Sequence, residues 1–221
     1  TDAGLYLYHE KTGKAHFVDM PDWDTQRNLV SDFFIDKNKN VWISTNKNET
    51  GCYVWNYGTP QPTWFSLEMN GGKTITDVGH VTEDEKGNIW IAGHGVATYS
   101  TNKKLNNIIT PDFVSSKAEI SAFDAIAIDK NAGVWLADKY GSAALLLYEP
   151  STKKFTAFTV KNGLPDYKAL SLTYYDGYVF VVSKNGISKI NCDTKKIEVI
   201  ISVKDVFYQH FFSNVLVFDS S

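Results

Sequence analysis

The chain has little cysteine and no long apolar run, and each shortage excludes a class of protein. Its 221 residues include two cysteines, Cys52 and Cys192, which cannot form a disulfide framework and are expected to be free thiols. The longest apolar stretches, such as 143–148 and 178–182, fall far short of the ~20 residues that a membrane-spanning helix needs. The sequence opens without an initiator methionine or a signal peptide, and we expect it to be part of a longer chain.

Charge of one sign is also scarce. Lys and Arg number 22 against 25 Asp and Glu, which gives a formal net charge of −3. Because there is no basic stripe and no run of like charges, nucleic acid is not an expected partner. Phosphate-binding loops, nucleophile elbows and paired catalytic carboxylates are missing from the sequence as well. We therefore predict no cofactor and no enzyme activity for this segment.

Metal-site patterns are weak. The five histidines (His9, His16, His80, His94 and His210) lack the short spacings of a zinc site. Asp36, Asn38 and Asn40 resemble the opening of a calcium loop, but the glycine at its sixth position and the glutamate at its twelfth are missing. The equivalent turns later in the chain indicate a hairpin turn capped by Asx side chains, and we predict no metal site.

One phrase recurs along the chain. It reads DKNKNVWIST at 36–45, DEKGNIWIAG at 84–93, DKNAGVWLAD at 129–138 and, in shortened form, DGYVFVVS at 176–183. Its aromatic residue recurs after 48, 45 and 45 residues, at Trp42, Trp90, Trp135 and Phe180. A period near 45 residues is typical of a four-stranded propeller blade.

Each period divides into four short strands with Gly, Asn and Asp between them. The predicted strands are 29–36, 40–45, 51–57 and 63–68; 76–84, 88–93, 95–100 and 105–110; 121–129, 133–138, 143–149 and 154–159; and 169–176, 178–183, 186–192 and 196–202. No long 3.6-residue apolar period is present. The sequence therefore predicts an all-β fold, a β-propeller, in preference to a β-solenoid.

The ends of the chain match parts of this repeat. Residues 1–8 match a third strand, and residues 211–219 match a first strand. We predict a single propeller segment over 1–221 with about four complete four-stranded blades, at 29–68, 76–110, 121–159 and 169–202, and partial blades at 1–20 and 211–221. Because a missing strand would expose backbone donors and acceptors, a fragment of a larger propeller is favoured over a ring closed within this chain.

The repeated phrase, together with FTAFTVKNGLP at 155–165, resembles the two-component regulator propeller repeat. The resemblance extends over nearly the whole chain and departs from the pattern at Phe180. It implies a periplasmic sensor domain of a hybrid two-component histidine kinase of the Bacteroides type, held in a protein anchored in the inner membrane. It also implies detection of oligosaccharides from polysaccharide breakdown, with any kinase activity residing in the full-length parent.

The repeat tryptophans are predicted to fill the core between blades rather than to stack on sugars, because they lie mid-strand among Val and Ile. Ligand-binding residues are expected in the longer, more varied loops that share one end of the sheets. Aromatic rings there would stack on sugar faces, and cations would pair with uronate or sulfate groups. The predicted ligand-binding residues are Trp23, Arg27, Lys47, His94, Lys139, Tyr140 and Lys184.

Three functions remain open at this point. The first is the oligosaccharide sensor, whose partners would be its ligand and the remainder of the same polypeptide, with a homodimer as a further assembly. The second is a non-catalytic protein–protein scaffold, because propellers similar to this one also occur in secretion machinery. The third is a propeller lyase or lactonase, for which the predicted inner strands offer only a few polar candidates: Asp32, Asp77, His80 and Asp124.

Overall fold

The computed structural model describes residues 5–21, 30–45, 51–56, 58–67, 75–100, 105–109, 122–139 and 143–202. Over these residues the chain is all-β, with one two-stranded and four four-stranded antiparallel sheets. It divides into two compact units, Thr1–Ile108 and Ile109–Ser221.

The first unit holds a hairpin and two meander sheets. The hairpin pairs β1 (Tyr6–His9) with β2 (Lys14–Phe17). Sheet 1 contains β3 (Val30–Ile35), β4 (Asn40–Thr45), β5 (Gly51–Asn56) and β6 (Thr63–Ser66). Sheet 2 contains β7 (His80–Glu83), β8 (Ile89–Gly93), β9 (Gly95–Tyr99) and β10 (Leu105–Ile109).

The second unit holds two further meander sheets. Sheet 3 contains β11 (Phe123–Ile128), β12 (Val134–Asp138), β13 (Leu145–Glu149) and β14 (Lys154–Phe158). Sheet 4 contains β15 (Ala169–Tyr175), β16 (Tyr178–Ser183), β17 (Gly186–Asn191) and β18 (Ile197–Ser202). The predicted all-β fold of four-stranded antiparallel sheets is confirmed.

The largest difference from the sequence prediction lies at the start of sheet 2. A first strand over 76–84 was expected, but β7 begins at His80. The preceding residues bond to the turn between β8 and β9 instead, since His94 donates its backbone N–H to the carbonyl of Thr76 at 2.8 Å. Asp77 there has a φ of 53°, which no strand accommodates. The predicted partial blade at 211–221 lies outside the described residues, and the single propeller segment stays a prediction.

Each unit has its own apolar core between successive sheets. Between sheets 1 and 2, Trp42 packs edge-on against Phe65 with ring centroids 5.3 Å apart, and Phe65 packs against Tyr99 at 5.1 Å. Between sheets 3 and 4, Trp135 lies against Phe158 at 5.3 Å in a cluster with residues of both sheets. The repeat tryptophans are thus core residues, as their mid-strand position predicts.

The aspartate that opens each repeated phrase binds its tryptophan. One carboxylate oxygen accepts the indole N–H, at 2.9 Å from Trp42 to Asp36, 3.1 Å from Trp90 to Asp84 and 2.8 Å from Trp135 to Asp129. The other oxygen accepts a backbone N–H from the residue four positions on, at 2.8 Å in all three turns. One side chain therefore both closes the turn and orients the ring that enters the core.

These turns require a left-handed residue at their fourth position. It is Lys39, Gly87 and Ala132 in sheets 1 to 3, with φ values of 62°, 82° and 61°. Glycine adopts this conformation without the steric cost that a β-carbon brings. Sheet 4 instead has a two-residue turn, Asp176–Gly177, with both φ values positive at 46° and 79°, as in the tight hairpin turns typical of such dipeptides.

Polar contacts between turns link neighbouring sheets within each unit. Lys37 donates its backbone N–H to Glu83 at 2.8 Å, and its ammonium group to the carbonyls of Asp84 and Glu85 at 2.9 and 3.1 Å. In the second unit, Lys130 reaches Asp193 at 3.0 Å. These contacts are solvent-exposed, so we expect each to stabilise the fold only weakly.

We predict that Trp135→Phe lowers the free energy of unfolding by about 3 kcal/mol, because it leaves a cavity and strips the nearly buried Asp129 carboxylate of a donor. Trp64→Phe is the matched control, since Trp64 lies partly exposed on β6 and should lose about 1 kcal/mol or less. Urea unfolding midpoints at constant slope measure both changes. Equal losses would show that the indole–carboxylate bond contributes nothing of its own.

Asp84 supplies a pH test of the same bond. Burial acts to raise the pKa of Asp84, but hydrogen bonds from Asn88, Trp90 and Lys86 outweigh it and leave the pKa lowered. A carboxylate with a lowered folded-state pKa stabilises the fold above its unfolded pKa of about 3.9 and loses that contribution as pH falls through the folded value.

The wild-type chain should therefore lose more unfolding free energy below pH ~4 than Asp84→Asn does. Glu85→Gln, on the same turn, is the control and should follow the wild-type profile. Urea titrations from pH 6 to pH 2.5 measure the difference. Parallel acid profiles for wild type and Asp84→Asn would contradict the assignment.

Candidate ligand-binding surface

Successive turns of an antiparallel meander alternate between the two ends of its sheet. We call the end at which the first strand begins the loop end. It also carries the turn between the second and third strands and the link from the preceding sheet. Each sheet has such an end. In the first unit its described members include the link 75–79 and His94, and in the second unit they include the link 159–168, Lys139 and Lys184.

His94 is bound into the link before β7. Its Nδ1 lies 2.8 Å from the Thr76 hydroxyl, and its Nε2 lies 4.0 Å from the Asp77 carboxylate. Gly93 beside it allows the close approach, because a β-carbon there would lie 2.6 Å from the Thr76 carbonyl. The structure therefore gives this ring a positioning role within the link, and its predicted part in ligand binding stays a prediction.

The first strands of sheets 1 and 2 share a second polar pair. His80 at the start of β7 places its Nδ1 2.9 Å from the carboxylate of Asp32 on β3, and both side chains are partly exposed. The hydroxyl of buried Ser44 lies 3.2 Å from the Asp32 carbonyl and 3.1 Å from the Gly79 carbonyl, so it can donate to either. Of the polar candidates predicted for a propeller enzyme, Asp32 and His80 thus pair with each other, and Asp77 pairs with His94.

Three first strands carry a β-bulge just after their start. The register shifts between Val30 and Asp32 in β3, between Phe123 and Ala125 in β11, and between Ala169 and Ser171 in β15. A bulge redirects the side chain of its extra residue and is common beside functional sites. In β11 that residue is Asp124, whose carboxylate meets the Lys168 ammonium at 3.3 Å.

The link before β15 is tightly built. Thr159 and Asn162 cap one another: the Asn162 side chain accepts the Thr159 backbone N–H at 2.9 Å, and Gly163 ends the turn at a φ of 106°. Leu164 is buried and anchors the segment to the core of the second unit. This part of the loop end is therefore held by its own hydrogen bonds and packing.

Asp166 fixes the last residues of this link. Its side chain is 7% exposed, and its Oδ1 accepts the backbone N–H of Tyr167 at 2.7 Å and of Lys168 at 3.3 Å. Tyr167 is left 70% exposed. A hydrogen-bonded loop thus presents an aromatic ring to solvent.

Tyr167 and Lys168 were not among the predicted ligand-binding residues, although they lie in one of the longer loops at the end of the sheets where binding was expected. The available signal was local: an aspartate directly after Pro165 is suited to cap the following backbone N–H groups. Such a cap turns the next side chain away from the core. Sequence periodicity carries no information about this, because the residue belongs to no strand.

The other predicted site residues divide into two groups. Lys184 is exposed in the turn between β16 and β17, and Lys139 follows β12, where its backbone N–H bonds the carbonyl of Ala122 at 2.9 Å. The remaining four lie outside the described residues, and their roles stay predictions: Trp23, Arg27, Lys47 and Tyr140.

Among the residues that the structure describes, no three His, Cys, Asp or Glu side chains converge as a metal centre would require. No helix among them is long and apolar enough to cross a membrane.

Comparisons by sequence and by structure give different results. No protein-family model and no curated protein matches the chain. Among solved structures, the extracellular domain of BT3049, described as a hybrid two-component system of B. thetaiotaomicron, matches 92% of this chain and 27% of its own, at 20% identity and a TM-score of 0.69. The chain thus spans about a quarter of that structure's length.

Two further structures show how widely the fold is shared. PorZ, a surface component of the type-IX secretion system of Porphyromonas gingivalis, matches over 88% of this chain and 28% of its own, at 18% identity and a TM-score of 0.61. The WD40 domain of Neurospora crassa Pan2 matches over 77% of this chain and 49% of its own, at 12% identity and a TM-score of 0.54. WD40 domains are β-propellers, so this chain has the β-propeller fold class.

We predict that Asp166→Ala lowers the free energy of unfolding by about 1–2 kcal/mol, since two backbone N–H groups lose their acceptor. Amide hydrogen exchange at Tyr167 and Lys168 should accelerate as well. Asp176→Asn is the control, because asparagine tolerates the left-handed turn position and should change stability by about 0.5 kcal/mol or less. Unchanged exchange at Tyr167 and Lys168 would refute the capping role.

Proposed function

We propose that the chain is a ligand-sensing domain of a hybrid two-component regulator, exposed to the periplasm in a protein anchored in the inner membrane. It binds an oligosaccharide and passes the signal through the rest of the polypeptide to a cytoplasmic histidine kinase. The observation that carries the proposal is the likeness of 92% of this chain to the extracellular domain of BT3049. The repeated phrase and its period support the same assignment.

The loop end fits a binding role. It combines a rigid link, an exposed aromatic ring at Tyr167 and exposed cations such as Lys184 on a sheet scaffold. Binding residues concentrate on loops held by such scaffolds. Ligand binding would favour one packing of this domain against its neighbours in the receptor, and that population shift is the signal.

A protein–protein scaffold is the second candidate, and the likeness to PorZ favours it. In that case the exposed ring of Tyr167 would contact another protein. A propeller lyase or lactonase has weaker support: on the first strands of the first unit, its polar candidates Asp32 and His80 are bound to each other.

A thermal-shift screen of this chain and of the intact parent ectodomain tests the sensor proposal, with neutral and acidic oligosaccharides as probes. A ligand at 100 times its dissociation constant stabilises the fold by about 2.7 kcal/mol, which corresponds to a shift of roughly 5–10 °C for a domain of this size. One responsive saccharide supports the sensor. No response from a folded ectodomain across the panel favours the scaffold.

A further inference from the structure

Two lysines flank the last strand pair at the loop end of sheet 4. Ala169 of β15 pairs with Ser183 of β16, Lys168 directly precedes Ala169, and Lys184 directly follows Ser183. Because directly opposed residues such as Ala169 and Ser183 are about 5 Å apart at Cα, the long side chains of the two adjoining lysines can reach the same volume. Tyr167 adjoins this pair of lysines in the chain.

Only one of the two lysines has a carboxylate partner among the described residues. Lys168 is paired with the Asp124 carboxylate at 3.3 Å. The Asp166 carboxylate is turned inward to the backbone N–H groups of the link. Lys184 is exposed, and nothing in the described part of the chain pairs with its ammonium group. The charge that this corner offers to solvent is therefore positive.

Tyr167 adds an exposed aromatic ring on a held backbone. Asp166 and buried Leu164 already hold the backbone of this link in place, so ligand binding has to order only the two side-chain torsions of the ring. A tyrosine presents a flat apolar face together with a hydroxyl. An aromatic ring near the unpaired ammonium group of Lys184 suits a ligand that has an apolar ring face and an anionic substituent.

We infer that Tyr167, Lys168 and Lys184 form a binding site for an anionic saccharide, whose sugar ring stacks on Tyr167 and whose carboxylate or sulfate group pairs with the lysines. The inference rests on the proposed function and gives it a position and a ligand class. A charge-assisted hydrogen bond from an ammonium group to such an anion is stronger than a neutral one. Its contribution should also weaken as salt is added.

Calorimetric titration of the full chain tests the site, with tetragalacturonate and a sulfated chondroitin tetrasaccharide as anionic probes. The methyl ester of tetragalacturonate is the matched neutral probe. We expect the methyl ester to bind at least tenfold more weakly than tetragalacturonate itself. Tyr167→Ala and Lys184→Gln should each weaken binding of the better anionic probe about tenfold, and Tyr167→Phe should stay within about threefold of wild type.

Two control variants lie at the opposite end of sheet 4. Tyr175→Ala removes an exposed tyrosine at the end of β15, and Lys196→Gln removes an exposed lysine before β18. Both should bind the probes as wild type does. Urea unfolding of every variant confirms that a lost affinity does not reflect a lost fold.

The possible failures point to different errors. If the saccharides bind but Tyr167→Ala and Lys184→Gln keep wild-type affinity, the site is wrong and the proposed function stands. If the ester binds as tightly as the acid, the anionic ligand class is wrong. If neither the anionic nor the neutral probes bind, and the wider panel of oligosaccharides is also silent, the proposed function fails with the site.

Discussion

The hydrogen bond from a buried indole N–H to an aspartate at the head of the same hairpin is the constraint that sheets 1 to 3 share and on which their turns and cores depend. A buried tryptophan N–H usually finds a hydrogen-bond partner, and in sheets 1 to 3 that partner is the carboxylate which also accepts a backbone N–H of the turn. Turn conformation and core packing are therefore set by one side chain. A change in either is transmitted to the other, which explains why the aspartate and the aromatic residue recur together at a spacing of six.

Sheet 4 shows what happens without this bond. Phe180 has no N–H to place, and its turn contracts to Asp176–Gly177. The residue opposite the repeat aromatic also changes character: Lys189 faces Phe180, where the other sheets place Val54, Thr98 and Leu147. Lys189 pairs with Glu198 at 3.2 Å and lies 5.3 Å from the ring centre of Tyr178. The loss of one aromatic donor thus accompanies a polar pair on the same face, while the four-stranded meander itself is kept.

The strands were predictable because period, apolar alternation and turn residues all act locally, and they agree with the structure over most of their length. The start of β7 was not predictable, because residues 75–79 are held by His94 in the turn between β8 and β9 and by Ser44 on β4. The indole–carboxylate bond was missed in a similar way. The aspartate was interpreted as a turn cap and the tryptophan as core, each correctly, but their contact depends on the ring's rotamer. Tyr167 was not predicted as a site residue. Its exposure follows from the burial of Asp166, and sequence periodicity does not predict that burial.

The contacts of Lys37 bear on how much sequence change the junction of sheets 1 and 2 tolerates. Its ammonium group binds the main-chain carbonyls of Asp84 and Glu85 in the following sheet. A main-chain carbonyl is present whatever the side chain. Substitutions at Glu85 therefore leave this junction intact as long as the turn keeps its conformation, whereas loss of the turn removes the acceptors whatever residue stands at position 37.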